Sequence, residues 1–546
     1  MMNNETVKNF LEQGYLISPD MMEEEVDDKF LQDLDKKIRT ATKPIVINKD
    51  IHRIINKTRK PLEVINWNEF EKSRALMEKG KNGKVYETFL DLMGYNIDGE
   101  TKEKLDTILE EIKKPEEEVE LTNGEGIEYN VIVLESYKEG AKKREVQDFV
   151  TYFKSRYNSL KEILMNRSDL QNTVSINRLT GKTKVPRAEV IGIIMEKRTT
   201  KNGSISLTIE DPTGQITVIV NKNKPELVNF AKNLVEDEVI GIKGGLSGQV
   251  IFANEILVPD IPLTKEKKKA PEEAYAIFLS DLHIGSNLFL AKDFMRFVDW
   301  INCKSGSKEQ KEVAKKTKYM FIVGDIVDGV GIYPEQDKEL AIKDIRKQYE
   351  KAAELIGLIR KDIKIVVCPG NHDALRISEP QPALGEDMAP DLLKIPNVMM
   401  VSNPALINIH SSKDFPGFDV LMYHGYSFDY YASNVDYIRM GGGYDKPELI
   451  MRFLLQKRHL APTHASTLYV PDSKDVMVIN KAPDFFITGH IHRAAIGNYN
   501  NITMVCSSCW QSKTAFQEKV GHHPEPSRVP IVNLKTREIK MLKFSS

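Results

Sequence analysis

The side chains able to do chemistry crowd into one half of the chain. Ten of the eleven histidines lie between His283 and His523, and only His52 precedes them. Histidine is both a common metal ligand and a frequent acid–base group, so chemistry is expected in the C-terminal half. Five short motifs there mix imidazole, carboxylate and amide groups. They are Asp281-Leu282-His283, Gly324-Asp325 with Asp328, Gly370-Asn371-His372-Asp373, His424-Gly425 and Gly489-His490-Ile491-His492. Each follows an apolar run directly. The two-residue spacing in Asp281/His283 and His490/His492 sets both side chains on one side of an extended backbone, and the adjacent glycines allow tight turns and close approach. Singly, a strand-end Asp is usually a turn residue and a lone His a satisfied core residue. Five such motifs in series describe a mixed nitrogen and oxygen donor set for two divalent cations. Cations roughly 3.5–4 Å apart form a standard clamp on phosphoesters. Manganese, iron, zinc and nickel accept such a donor mixture, whereas magnesium and calcium prefer oxygen alone.

The elements that must position these groups are legible as pattern. Beyond Tyr275 the runs AIFLS, YMFIVG, IKIVVCPG, DVLMYHG and DFFITGH suit strands buried on both faces. KELAIKDIRKQYEKAAELIGLIRK reads as a long amphipathic helix. Residues 264–546 therefore form an α/β sandwich with polar residues at strand ends, where such folds place their sites. Residues 187–263 alternate β-branched segments with Gly, Pro and Asn, and an OB-like β-barrel is expected. That span contains Phe230 and Phe252 but no Tyr or Trp. A barrel that grips single strands stacks bases on aromatics, so this one reads as a structural or protein-contact module. Residues 146–186 form a helical connector, 1–45 a helical N-terminal domain, and 46–145 a charged flexible linker carrying PEEEVE. The segment 263–273, with Lys265 and Lys267 to Lys269, reads as a solvated connector, with contact to a nucleic-acid backbone as the sharper alternative. The fold class is thus multi-domain α/β.

Composition bounds the function. The 546 residues carry 77 basic and 79 acidic groups, a net charge of -2. That balance excludes holding DNA by bulk positive charge, so nucleic-acid contact requires a local patch or a metal site. A hydrophobic content of 41% supplies soluble, cored domains and excludes collagen-like or wholly disordered chains. Four cysteines make no disulfide framework. No apolar run reaches the roughly 18 residues of a membrane span, and no basic stretch followed by an apolar one marks a signal peptide. A reducing cytoplasm and no membrane partner are expected. Cys506 and Cys509 read as packing residues, His522 and His523 as a surface loop, and His410, His459 and His464 carry no catalytic expectation.

The series D-x-H, G-D, G-N-H-D, H, G-H-x-H resembles the calcineurin-like metallophosphoesterase superfamily over 275–510. The resemblance implies that Asp281, His283 and His492 bind one metal, that Asn371, His424 and His490 bind the other, and that Asp325 bridges. It makes His372 the acid and Asp373 the group that holds its ring. Protein phosphatases of the superfamily carry G-D-x-V-D-R-G, but this chain has Gly329 where the arginine would stand, and NHD where they have NHE. Residues 324–336, 370–383 and 510–534 resemble instead the small subunit of archaeal family D DNA polymerases. That resemblance implies a 3′→5′ proofreading exonuclease in a heterodimer with a large catalytic polymerase subunit. Its substrate would be DNA with a single-stranded or mismatched 3′ end. Manganese would be the metal pair, with iron, zinc or nickel also compatible. A non-catalytic scaffold, like the eukaryotic B-subunits that have lost the ligands, and a free-standing nuclease or phosphodiesterase are the alternatives. Retention of all five motifs favours the active enzyme. Tyr333 and Arg376, just after ligand motifs, are candidate substrate contacts. Tyr426, with Phe428, Tyr430 and Tyr431, is a candidate wall for stacking a terminal base.

Overall fold

The structure, a computed structural model, describes residues 15–17, 45–47, 130–138, 143–514, 517–518 and 522–545. The chain divides into two units, Met1–Glu120 and Leu121–Ser546. In the first, β1 (Tyr15–Ile17) pairs in parallel with β2 (Ile45–Ile47). The expected helix over 1–45 is therefore interrupted at Tyr-Leu-Ile, a β-prone triplet. The rest of that helix, and the linker over 48–129, fall outside the described residues.

In the second unit the linker expectation fails at its C-terminal end. β3 (Val131–Ser136) is an edge strand of a six-stranded sheet. The six residues VIVLES have strand propensity, and the charged flanks on both sides masked it. Helix α1 (Val146–Met165) follows, opened by a capping box in which the Glu145 amide donates to Asp148 Oδ2 at 2.8 Å. Tyr152, Arg156, Tyr157, Leu160 and Leu164 are its buried side chains. The Arg156 Nε meets Asp475 Oδ2 at 2.7 Å, and His459 Nε2 lies 2.9 Å from the same oxygen. This bolts α1 to the C-terminal domain.

The barrel is as expected. β4 (Lys184–Thr199), β5 (Ile205–Asp211), β6 (Gly214–Val220), β7 (Val239–Ser247) and β8 (Val250–Leu257) close in the order β4-β5-β6-β8-β7. Helix α2 (Pro225–Lys232) lies between β6 and β7 in the chain. Alternating residues such as Leu207, Ile209, Val218 and Ile242 fill the interior. Each such side chain contributes about 1.5–3 kcal/mol by leaving water. The connector after the barrel departs from both readings given to it. Lys265 and Lys268 point inward, each 2.8 Å from a carboxylate oxygen of fully buried Asp484. With the Asp419 amide, which donates to the same carboxylate at 2.9 Å, they compensate the buried charge.

The C-terminal domain is a two-sheet sandwich. β9 (Tyr275–Leu279), β10 (Thr317–Val323), β11 (Lys364–Cys368) and β12 (Val398–Met400) run parallel in one sheet. The second sheet has the order β16-β17-β15-β14-β13-β3, from β13 (Ala405–Ile409), β14 (Phe418–Met422), β15 (Phe485–Thr488), β16 (Ala495–Tyr499) and β17 (Ile502–Cys506). β18 (Arg528–Asn533) and β19 (Ile539–Lys543) return to extend the first sheet beside β9. Phe278, Phe321, Ile407, Val420, Phe485 and Ile487 interdigitate between the sheets. Residues of α3 (Ala291–Ile301), α4 (Lys308–Lys315) and α5 (Ile345–Gly357) join the outer core of the first sheet. The long amphipathic pattern starts as helix only at Ile345, because Asp344 caps it by accepting from the amides of Arg346 and Lys347.

Candidate metal centre

All five motifs lie at the C-terminal ends of strands: Asp281 and His283 after β9, Asp325 after β10, Asn371 to Asp373 after β11, His424 after β14, and His490 and His492 after β15. Because β9, β10 and β11 are parallel, as are β14 and β15, their loops open toward one rim. Asp281, His283, Asp325, His490 and His492 all have φ between +49° and +69°. Left-handed backbone costs on the order of 1–3 kcal/mol at a non-glycine residue and collects at functional sites. The adjoining glycines serve close approach: a side chain on Gly324, itself at φ +80°, would overlap the His424 ring, and one on Gly370 would overlap Asp325.

The side chains form two adjoining groups. In one, His492 Nε2 stands 3.0 Å from His283 Nε2 and 3.3 Å from Asp281 Oδ1. In the other, Asn371 Oδ1 is 3.0 Å from both His424 Nε2 and His490 Nδ1. Asp325 Oδ2 faces both groups, 3.3 Å from His424 Nε2 and 3.9 Å from His283 Nε2. Asp281, His283, Asp325 and His424 are buried.

The outward hydrogen bonds decide where the ring protons sit. His283 Nδ1 is bonded to Asp328 Oδ1 at 2.9 Å, His424 Nδ1 to the Val323 carbonyl at 2.9 Å, and His490 Nε2 to Asp429 Oδ2 at 3.1 Å. All three partners are acceptors, so each ring donates outward and turns a lone pair inward. Lone pairs of His424 and His490 thus meet the Asn371 carbonyl oxygen and the Asp325 carboxylate with no proton between them. Such a convergence of acceptors suits a cation. Without one, only a proton can relieve it: burial opposes charge on His424, yet Asp325 pushes its pKa up to about 10. Burial likewise opposes charge on Asp325, yet His424 and His372 hold its carboxyl well below the usual range.

His372 lies beside this pocket, its ring centroid 4.7 Å from that of His283. Its ring is not held by Asp373, contrary to expectation. His372 Nδ1 donates to the Asp328 carbonyl at 2.8 Å. Asp373 is buried and accepts from the Gly370 amide at 2.8 Å and the Tyr349 hydroxyl at 2.9 Å. It shapes the loop rather than the ring, because the chain turns between the two residues. The aromatic wall also shrinks. Tyr426 alone flanks the pocket, its ring 5.7 Å from that of His490, whereas Phe428 and Tyr431 are buried in the core and Tyr430 packs on Tyr431. Tyr333 sits 6.4 Å from the His372 ring. Arg376 is occupied, donating to the carbonyls of Ser378 and Pro380.

Sequence reading missed an outer ring of residues. Gln511 bonds Asp328 Oδ1, Gln517 bonds His492 Nδ1 at 2.9 Å, and Asp429 bonds His490. Each lies far along the chain from its partner, so no local spacing announces it. Cys506 and Cys509 are buried and form no disulfide, and Cys509 Sγ lies 3.8 Å from the His492 carbonyl.

The barrel and the rim define a class: residues 276–494 match the calcineurin-like phosphoesterase family model, and 188–261 match an OB-fold nucleic acid binding domain. The relatives narrow it. The chain is 42% identical to the DNA polymerase II small subunit of Methanothermobacter thermautotrophicus over 402 residues, covering 73% of this chain and 80% of that one. It is 39% identical to the subunit of Archaeoglobus fulgidus, covering 71% and 75%. With that of Pyrococcus abyssi it shares 37%, covering 73% of this chain and 63% of that one. The chain belongs to the family of DNA polymerase II small subunits. Among the described residues no helix is long and apolar enough to cross a membrane.

Proposed function

We propose that this chain is the 3′→5′ proofreading exonuclease of a two-subunit polymerase, working in the cytoplasm with a large catalytic subunit on single-stranded or mismatched 3′ ends. The observation that carries this reading is the convergence of imidazole nitrogens, carboxylates and the Asn371 amide oxygen from five loops around Asp325. Asp281, His283 and His492 would hold one divalent cation, Asn371, His424 and His490 a second, and Asp325 both. Manganese suits the mixed donors, as do iron, zinc and nickel. Bound there, the two cations would neutralise phosphoryl charge and activate water.

The chain's own groups do the rest. Donation from His372 Nδ1 to the Asp328 carbonyl fixes the ring and leaves Nε2 free to carry the transferable proton. As water adds to phosphorus, the bond to O3′ of the preceding nucleotide breaks. The attacking water gives up one proton as it adds, His372 Nε2 carries a proton to O3′, and a nucleoside 5′-monophosphate departs with the ring back in its neutral form. Asp373 keeps the loop in register through Gly370 and Tyr349. Tyr426 and Tyr333 stand on opposite motif loops and would confine the terminal base and sugar. The test uses single-stranded DNA labelled at the 5′ end. With Mn²⁺ the purified chain should shorten it stepwise from the 3′ end, and EDTA should stop this. Absence of any product, or internal cuts only, would contradict the assignment.

A further inference from the structure

Helix α1 has a second apolar face that the domain covers only in part: the rings of Phe149 and Phe153 meet Tyr469 edge-on at 5.9 and 6.1 Å. One side, through Tyr152, Arg156, Leu160 and Leu164, is buried. The other carries Val146, Phe149, Val150 and Phe153 at the i, i+3, i+4, i+7 spacing of a helix-packing stripe. Val146 is 81% exposed, Phe149 39% and Val150 40%. Met195 of the barrel, 41% exposed, stands across from them. Helix and barrel together border a groove of about 390 Å³. Contiguous exposed apolar surface of this kind marks a contact site.

The rim of the groove is acidic. Glu210, Asp211 and Asp237 line it, against the single cation Lys154. The hydrogen bonds of these carboxylates come from the Gln215 side chain and from backbone amides at Ile176, Thr213, Gly214 and His464, together with the Thr213 hydroxyl. No lysine or arginine among the described residues is paired with them. An apolar stripe at helical spacing beside uncompensated carboxylates suits one kind of occupant: an amphipathic helix whose apolar face is flanked by lysine or arginine.

We infer that this groove docks a basic amphipathic helix of the large polymerase subunit, an inference that rests on the two-subunit reading proposed above. The groove is built from α1, β4 and β5 and contains none of the proposed metal ligands, so docking and hydrolysis are separable by mutation.

The experiment measures the Kd of the full chain for the separately purified large subunit. Val146→Glu/Val150→Glu adds two charges to the stripe. Both side chains are exposed, and acids near a helix N-terminus favour the helix dipole, so the melting temperature should hold. Affinity should fall at least tenfold, while Mn²⁺-dependent nuclease activity of the isolated chain is unchanged. Glu210→Lys should weaken binding at low salt and lose most of that effect near 0.5 M salt, about where screening shortens to a few ångströms. If the double variant misfolds, the Glu210→Lys result decides. Unchanged affinity in the variants overturns the inference. So does a wild-type dimer by light scattering that the double variant dissolves, because the occupant is then a second copy. If the wild-type chain does not bind the large subunit at all, the two-subunit reading fails first.

Discussion

Asp325 is the side chain on which the pocket turns, because one carboxylate faces both groups of donors. His372 is separable from that role. Its ring hangs from the Asp328 carbonyl, outside the three-residue sets assigned to the cations. His372→Ala should therefore cut turnover by roughly 10²–10⁴, the worth of a general acid, with two metals per chain retained on elemental analysis. A second prediction concerns Asp429, which fixes the proton of His490 on Nε2. Asp429→Asn should weaken metal binding at one site by about 10–100-fold and leave the other intact, which calorimetric titration with Mn²⁺ separates. Loss of both sites together would assign Asp429 a role in folding instead.

At the scale of elements, two features carry energetic consequences. The buried pair Arg156–Asp475 joins α1 to the C-terminal domain across 319 residues of chain. Arg156→Ala takes the guanidinium from buried Asp475 and leaves it the His459 ring and the Met477 amide, and should cost about 3–5 kcal/mol, seen as a lower urea midpoint. Glu379 is fully buried, held by the Tyr423 hydroxyl at 3.0 Å. Burial pushes its pKa up to about 7 against weaker opposing help from Thr467 and Tyr423. A carboxyl with a raised folded pKa stabilises below its unfolded value, near 4.3. That contribution is lost as pH climbs through about 7. Glu379→Gln should thus melt close to wild type at pH 4 and later than wild type at pH 8, by a margin on the order of 3 kcal/mol. An identical difference at both pH values would refute the ionised burial.

The same contrast explains what the sequence could disclose. The inner donors were legible because each follows its strand at once: Asp325 comes two residues after Val323, and His424 two after Met422. The left-handed backbone at Asp281 and His283 was not, since nothing in D-L-H itself demands φ near +50°. Nor was β3, whose six apolar-rich residues are hemmed by charge, nor the proton-setting contact of Asp429 with a residue 61 positions away. The Asp373 assignment failed because adjacency in N-H-D suggested a contact that the turn forbids. Local pattern names strands and ligands; what orients a ligand comes from wherever the fold brings a partner.

At the largest scale, within residues 121–546, barrel and phosphoesterase share one packed interior: Val235 and Ile261 join the outer core of the second sheet, and buried Lys457 pairs with buried Glu238 at 2.5 Å. A groove formed on α1 and the barrel is thereby held at fixed geometry relative to the rim of donors. Chelation should leave this scaffold folded, lowering the melting temperature only by the linkage of metal binding. The rim is expected to grip two cations around Asp325. Crystals of the chain soaked in Mn²⁺ test it by anomalous scattering at the manganese edge. Two peaks are predicted, one among Asp281, His283 and His492 and one among Asn371, His424 and His490, with Asp325 touching both. An empty rim at saturating Mn²⁺, or peaks located elsewhere on the chain, would contradict it.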